Sequence, residues 1–190
     1  MAGAAACAAA GADFAGLNFV TGVRREIDMD AVDDIMFELG NVTAVGVFRD
    51  QDLDFIRRVA RRTGLRWVQL HGAEPNFQCL DLGTQFRVIK ALTAEDDPTP
   101  YEDCVDLFLM DGRLPGSGAS WDYARVQTVR AEKPLLLAGG LTPDNVRAAI
   151  RAAQPDGVDV ASGVERDGEQ DPELIHAFVR AARAATESQT

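Results

Sequence analysis

Basic residues are in deficit: 19 Lys and Arg stand against 30 Asp and Glu, a formal net charge of -11 at pH 7. Nucleic acid and anionic membrane surfaces are held by clustered Lys and Arg, so this acidity excludes both as expected partners. An anionic small molecule must then be gripped by local devices, such as backbone amides or a single arginine. Cysteine is scarce too, with Cys7, Cys79 and Cys104 the three present. No two of them have a metal-ligand or redox spacing, which argues against a disulfide framework and against a metal site, and for a reducing, cytoplasmic compartment. Long apolar runs are missing: the longest, residues 1–12, is alanine-rich, lacks a basic flank and is too short to span a bilayer. It reads as helix rather than signal peptide. Linkers and low-complexity tracts are absent as well. A single domain over residues 1–190 is expected, with a frayed tail over 186–190.

What is there is alternation. Short β-branched or apolar runs at residues 12–20, 43–48, 66–70, 86–91, 104–110, 135–138 and 157–160 read as strands. Amphipathic stretches at 29–39, 51–63, 75–82, 121–130, 143–153 and 171–185 read as helices, with a polar stretch and one helical turn after the fourth strand. Strands alternating with helices predict a parallel sheet covered by helices, and right-handed crossovers close such a sheet into a barrel or wind it open. The expected fold is α/β, of the (β/α)₈ barrel type. Complete barrels need about 200–250 residues, and here a helix over residues 2–10 comes before any strand. One strand is therefore missing from the expected eight, and a gap between the first and last visible strands is predicted.

Two glycine turns carry the strongest chemical signal. Gly139 and Gly140 follow a buried strand and precede Thr142-Pro143, a plausible helix N-cap and first helical position. Ser162 and Gly163 follow the last strand and open a short extra helix. Glycines let backbone N–H groups approach an anion, and phosphates commonly sit at the loops after the last two strands of such barrels. Two tight structural turns would be the plain reading of either alone; together they favour phosphate binding.

Asp111 ends a hydrophobic strand. Strand alternation puts it on one face with Val105, Leu107 and Leu109, and if that face points inward it lies at the barrel mouth, where a general acid is useful. A capping or loop aspartate is an equal reading from position alone. The Gly116-Ser117-Gly118 loop reads as a mobile cover. Gln69 and His71 share the face of Trp67 and so point to the same mouth. A lone histidine is more often a hydrogen-bonded structural residue than a base, and His71 is read that way. Arg24 and Arg25 follow the first visible strand, where one of them could clamp a carboxylate.

The segments Val68-Gln69-Leu70-His71-Gly72, Val88-Ile89-Lys90-Ala91, the strand ending at Asp111, the 137–146 run and the 157–165 run come in an order that resembles phosphoribosylanthranilate isomerase. That resemblance implies an Amadori rearrangement in tryptophan biosynthesis, without a cofactor. It implies that Asp111 protonates the furanose ring oxygen and that Arg24, or its neighbour Arg25, holds the anthranilate carboxylate. His71 falls among the substrate-binding positions, and phosphate falls to Gly139, Gly140, Ser162 and Gly163. It also implies a cysteine base at the end of a first strand, in a lysine-x-cysteine-glycine motif that this chain lacks. By pattern, none of the three cysteines takes that place. Ala161 stands where the family usually has serine, and Pro115 where it has glycine. Two other readings stand beside the isomerase: a non-catalytic phosphosugar-binding or regulatory barrel, and an isomerase of a related aminoribosyl phosphate with His71 as base. A phosphoribosyl small molecule is the expected partner, and self-association or docking to a neighbouring pathway enzyme stays open.

Overall fold

The computed structural model describes residues 2–93, 95–112, 121–129 and 131–187. Seven parallel strands form one sheet in chain order: β1 (Phe14–Asn18), β2 (Thr43–Phe48), β3 (Trp67–Leu70), β4 (Arg87–Thr93), β5 (Leu107–Asp111), β6 (Leu135–Leu137) and β7 (Gly157–Val158). Helices fill the connections: α1 (Ala2–Ala10), α2 (Val32–Leu39), α3 (Leu53–Thr63), α4 (Asn76–Gly83), α5 (Val146–Ala153) and α6 (Pro172–Glu187). The sheet curls into an open (β/α)₈-type barrel. A two-residue hairpin, β8 (Glu165–Arg166) with β9 (Glu169–Gln170), follows β7 and was not anticipated.

Local chemistry explains most of these boundaries. Asp52 caps α3 by accepting from the Phe55 N–H at 2.7 Å, and Gly64 ends it in the left-handed region at φ 72°. Strand alternation then sorts side chains into two cores. Val45, Ile89, Ala91, Leu109 and Ala138 pack inside the barrel, with Trp67, Leu107 and Leu136 against them. Phe48, Val68, Leu70, Val88, Phe108 and Met110 face the helices and join the larger outer core. Asp111 continues the inward row of Leu107 and Leu109, as expected. Val105 does not, because the strand begins only at Leu107 and Val105 packs outward.

Several expected elements are shorter or of another kind. The segment read as a helix over 121–130 is a 3-10 helix at Tyr123–Thr128. The last strand ends at Val158 rather than 160. The α-helix expected from Pro143 begins at Val146. Thr142 still shapes that start: its Oγ accepts from the Asn145 N–H at 3.3 Å, while Asn145 Oδ1 accepts from the Thr142 N–H at 2.8 Å.

Among the described residues β1 and β7 do not pair, so the predicted gap is present. Around it the helical layer does meet, with α1 packed on both α6 and α2. At the foot of the gap, Arg183 on α6 hydrogen-bonds the Gly11 carbonyl and pairs with Asp13 at 3.4 Å.

Candidate active site

Parallel strands deliver their C-terminal ends to one mouth, and the inward row of each strand decides what stands there. Asp111, the last residue of β5, is buried to 8% exposure. Its Oδ1 accepts from the Gly112 N–H at 2.7 Å, and its Oδ2 lies 3.3 Å from His71 Nε2. Gln69 Nε2 is 3.1 Å from His71 Nδ1. With the Gln69 amide as donor, Nδ1 accepts and Nε2 carries its proton toward Asp111. The inward placement of Gln69, His71 and Asp111 is thus realised as one hydrogen-bonded row.

The β6 turn is built against that row. Gly139 and Gly140 have φ of 85° and 65°, a region open to glycine. A side chain on Gly139 would meet Asp111 Oδ1 and Trp121 Nε1 at 2.7 and 2.8 Å. Three successive carbonyls of this turn are tied back by side chains. Trp121 Nε1 donates to Ala138 O at 3.0 Å, Tyr123 O–H to Gly139 O at 2.9 Å, and Asn145 Nδ2 to Gly140 O at 2.8 Å. Planar trans peptides aim the following N–H groups the opposite way, which is the arrangement of an anion-binding nest. Ser162–Val164 form a 3-10 turn beside it. A Cβ on Gly163 would collide with the Leu141 carbonyl oxygen. Glycine there lets the two turns touch each other.

Both arginines are engaged within the protein. Arg24 Nη2 and Arg25 Nε both donate to Glu165, each at 2.6 Å, and Arg24 also bonds the Gly168 carbonyl. The pair bridges the gap between β1 and the hairpin after β7. Arg24 is 55% exposed and Arg25 33%. Burial alone raises the Glu165 carboxyl, but the hydrogen bonds and charges of Arg25 and Arg24 outweigh it and hold it below the ordinary range.

Asp159, just past β7, is a mouth residue that the sequence did not single out. It meets solvent while protein surrounds the mouth. Loss of hydration pushes its carboxyl up, the His71 ring pulls it down, Asp111 pushes it up again, and Arg25 pulls down more weakly. Inward-pointing parity after Gly157 was the available signal, but a strand running to 160 would hold Asp159 inside the sheet rather than at its end. Cys7 packs against the outer core in α1; Cys79 is buried in α4, with Cys104 packed on the same layer. The reading that none of them serves as the family's base agrees with these positions. The 116–118 loop and Pro115 lie outside the described residues. No helix among the described residues is long and apolar enough to cross a membrane.

The chain as a whole matches a named group of proteins. The sequence profile of N-(5'phosphoribosyl)anthranilate (PRA) isomerase fits residues 2–181. The N-(5'-phosphoribosyl)anthranilate isomerase of Roseiflexus sp. (strain RS-1) is 41% identical over 94% of this chain and 91% of its own length. That of Myxococcus xanthus is also 41% identical, over 92% and 88%. The crystal structure of phosphoribosyl anthranilate isomerase from Thermus thermophilus superposes with a TM-score of 0.84 at 33% identity, covering 97% of this chain and 92% of that one. A phosphoribosyl anthranilate isomerase solved with reduced 1-(o-carboxyphenylamino)-1-deoxyribulose 5-phosphate gives a TM-score of 0.78 at 31% identity, over 94% and 91%. Fold and sequence agree: the chain belongs to the N-(5'-phosphoribosyl)anthranilate isomerase family.

Proposed function

We propose that the chain isomerises N-(5'-phosphoribosyl)anthranilate to 1-(o-carboxyphenylamino)-1-deoxyribulose 5-phosphate in tryptophan biosynthesis, as one cytoplasmic domain over residues 1–190. The observation that carries this reading is Asp111, buried at the mouth, bonded to His71 and touching the Gly139 turn. The substrate phosphate rests on the N–H groups around Gly139, Gly140, Ser162 and Gly163. Asp111 then delivers a proton to the furanose oxygen, and His71 keeps its carboxyl aimed. The ring opens to an iminium, and loss of the C2′ proton gives the enolamine that rearranges to the ketone.

Of the groups at the described mouth, Asp159 is the carboxylate we assign to take that proton. It follows β7 at the strand ends where Asp111 closes β5, and acid and base must flank the reacting carbon. Arg25 is the arginine we place on the anthranilate carboxylate, in preference to Arg24, because it is the more enclosed of the two, 33% exposed against 55%. Self-association and docking to a neighbouring enzyme of the pathway are compatible with the exposed Phe37, at 84%, and Phe77, at 62%.

The test is an assay of the purified chain on N-(5'-phosphoribosyl)anthranilate, followed by loss of anthranilate-type fluorescence. Turnover is expected, with Asp111→Asn reducing kcat by about 10²- to 10⁴-fold while ribose 5-phosphate still binds. Binding without turnover in the unaltered chain would leave a phosphosugar-binding barrel in place of the enzyme.

A further inference from the structure

Lys90 lies in one of the segments shared with the family, yet no step of the proposed reaction uses it. Its parity on β4 is that of Val88 and Leu92, so it points out of the barrel into the helical layer rather than into the mouth. It is nevertheless 1% exposed, and its partner Glu74 is 2% exposed. Lys90 Nζ donates to Glu74 Oε2 at 2.8 Å, to the Gly72 carbonyl at 2.6 Å and to the Leu70 carbonyl at 3.5 Å.

Glu74 closes the other side. Its carboxylate accepts from the Gly72 N–H at 2.9 Å and from the Asp50 N–H at 2.8 Å. Asp50 in turn accepts from the Ala73 N–H at 2.7 Å, and the Tyr101 hydroxyl donates to the Glu74 carbonyl at 3.1 Å. The ion pair therefore grips the peptide groups on both sides of His71.

A buried ion pair is a poor way to gain stability, since apolar side chains in the same volume often do as well or better. What such a pair supplies is fixed geometry. Here the geometry in question is the backbone that aims the His71 ring between Gln69 and Asp111.

We propose that Glu74 and Lys90 are positioning residues for His71: by clamping Leu70 and Gly72 they hold the imidazole against Asp111. This rests on the isomerase reading for its kinetic consequence but not for its structural one. Neither side chain touches substrate.

Removing Lys90 alone strands a buried carboxylate and invites unfolding, so the informative variant is the paired apolar one, Glu74→Leu with Lys90→Met. The chain has two histidines, so the His71 ring nitrogens are assigned by NMR against a His176→Gln control. In the unaltered chain the two His71 nitrogens are expected to be distinct, one carrying the proton and one accepting. In the paired variant they are expected to converge toward one another, as in a ring that exchanges freely between tautomers. Unchanged His71 signals in a folded paired variant would overturn the proposal, whether or not the protein is an isomerase.

The kinetic arm follows. The paired variant is expected to lose about 10²-fold in kcat, the scale of a misplacement of about 1 Å, with KM changed little. In a His71→Asn background the same pair of substitutions should cost nothing more. An equal loss in that background would show that the pair acts elsewhere. Inactivity of the unaltered chain would defeat the isomerase reading and leave the NMR arm to decide.

Discussion

Glu165 and Asp159, both in the segment after β7, depart from ordinary carboxylate behaviour in opposite directions. Glu165 is held below its ordinary value of 4.5, so its ionised form contributes stability above that pH and the contribution is lost as pH falls through the lowered value. Urea unfolding of Glu165→Gln should therefore show a deficit against the unaltered chain at neutral pH that narrows in acid below about pH 4.5. Asp159 is pushed above its ordinary 3.8. Its side chain meets solvent, so water screens the effect on folding, and Asp159→Asn should leave stability nearly unchanged while slowing turnover. A kcat equal to the parent's would remove Asp159 from the role of base. These residues also mark the limit of sequence reading. Asp111, Gln69 and His71 were legible because each sits on a strand, or directly follows one, whose two-residue period fixes its face. Glu165 was not, because its partners Arg24 and Arg25 lie 141 and 140 residues away in the chain.

At the scale of elements, strand and helix order followed from hydrophobic periodicity, and β2 was legible to the residue. Misreadings gathered where backbone geometry departs from both periods. Tyr123–Thr128 carries an apolar pattern that suits either helix type, and its 3-10 form is set by tertiary bonds: Tyr123 to the Gly139 carbonyl and Gln127 to the Ala152 carbonyl at 2.6 Å. The contact between the two glycine turns has a sharp consequence. Gly163→Val places methyl groups on the Leu141 carbonyl and must push the turns apart. It should cost roughly 1–3 kcal/mol of stability and weaken ribose 5-phosphate binding about tenfold, roughly 1.4 kcal/mol. Calorimetry showing the affinity unchanged would place the phosphate elsewhere. Gly11, with φ 73° and open space around its Cα, is a control: substitution there strains only the turn and should leave phosphate affinity alone.

For the molecule as a whole, the unpaired β1 and β7 edges are the weak point of a sheet whose every other junction is a parallel ladder. A strand appended before residue 1 and ending in cysteine is expected to pair with both edges. Thermal unfolding should then move upward by roughly 2–4 °C for each kcal/mol gained, and kcat should rise if the added thiol reaches the mouth. No shift in either would mean that the helices already satisfy the gap. The same gap bears on the order of events as the chain folds. Neighbouring strands pair with their neighbours in sequence, so each ladder can form as soon as its two segments exist, at low entropic cost. The contacts of α1 with α6, of Arg183 with Gly11 and of Arg24 with Glu165 join segments more than a hundred residues apart, so each must close a long loop. Where such long-loop contacts form after the transition state, weakening them accelerates unfolding without slowing folding. Arg183→Ala should steepen the loss of the native state in stopped-flow unfolding while the refolding limb stays where it was. The barrel is thus assembled like a hoop, shaped progressively and fastened last.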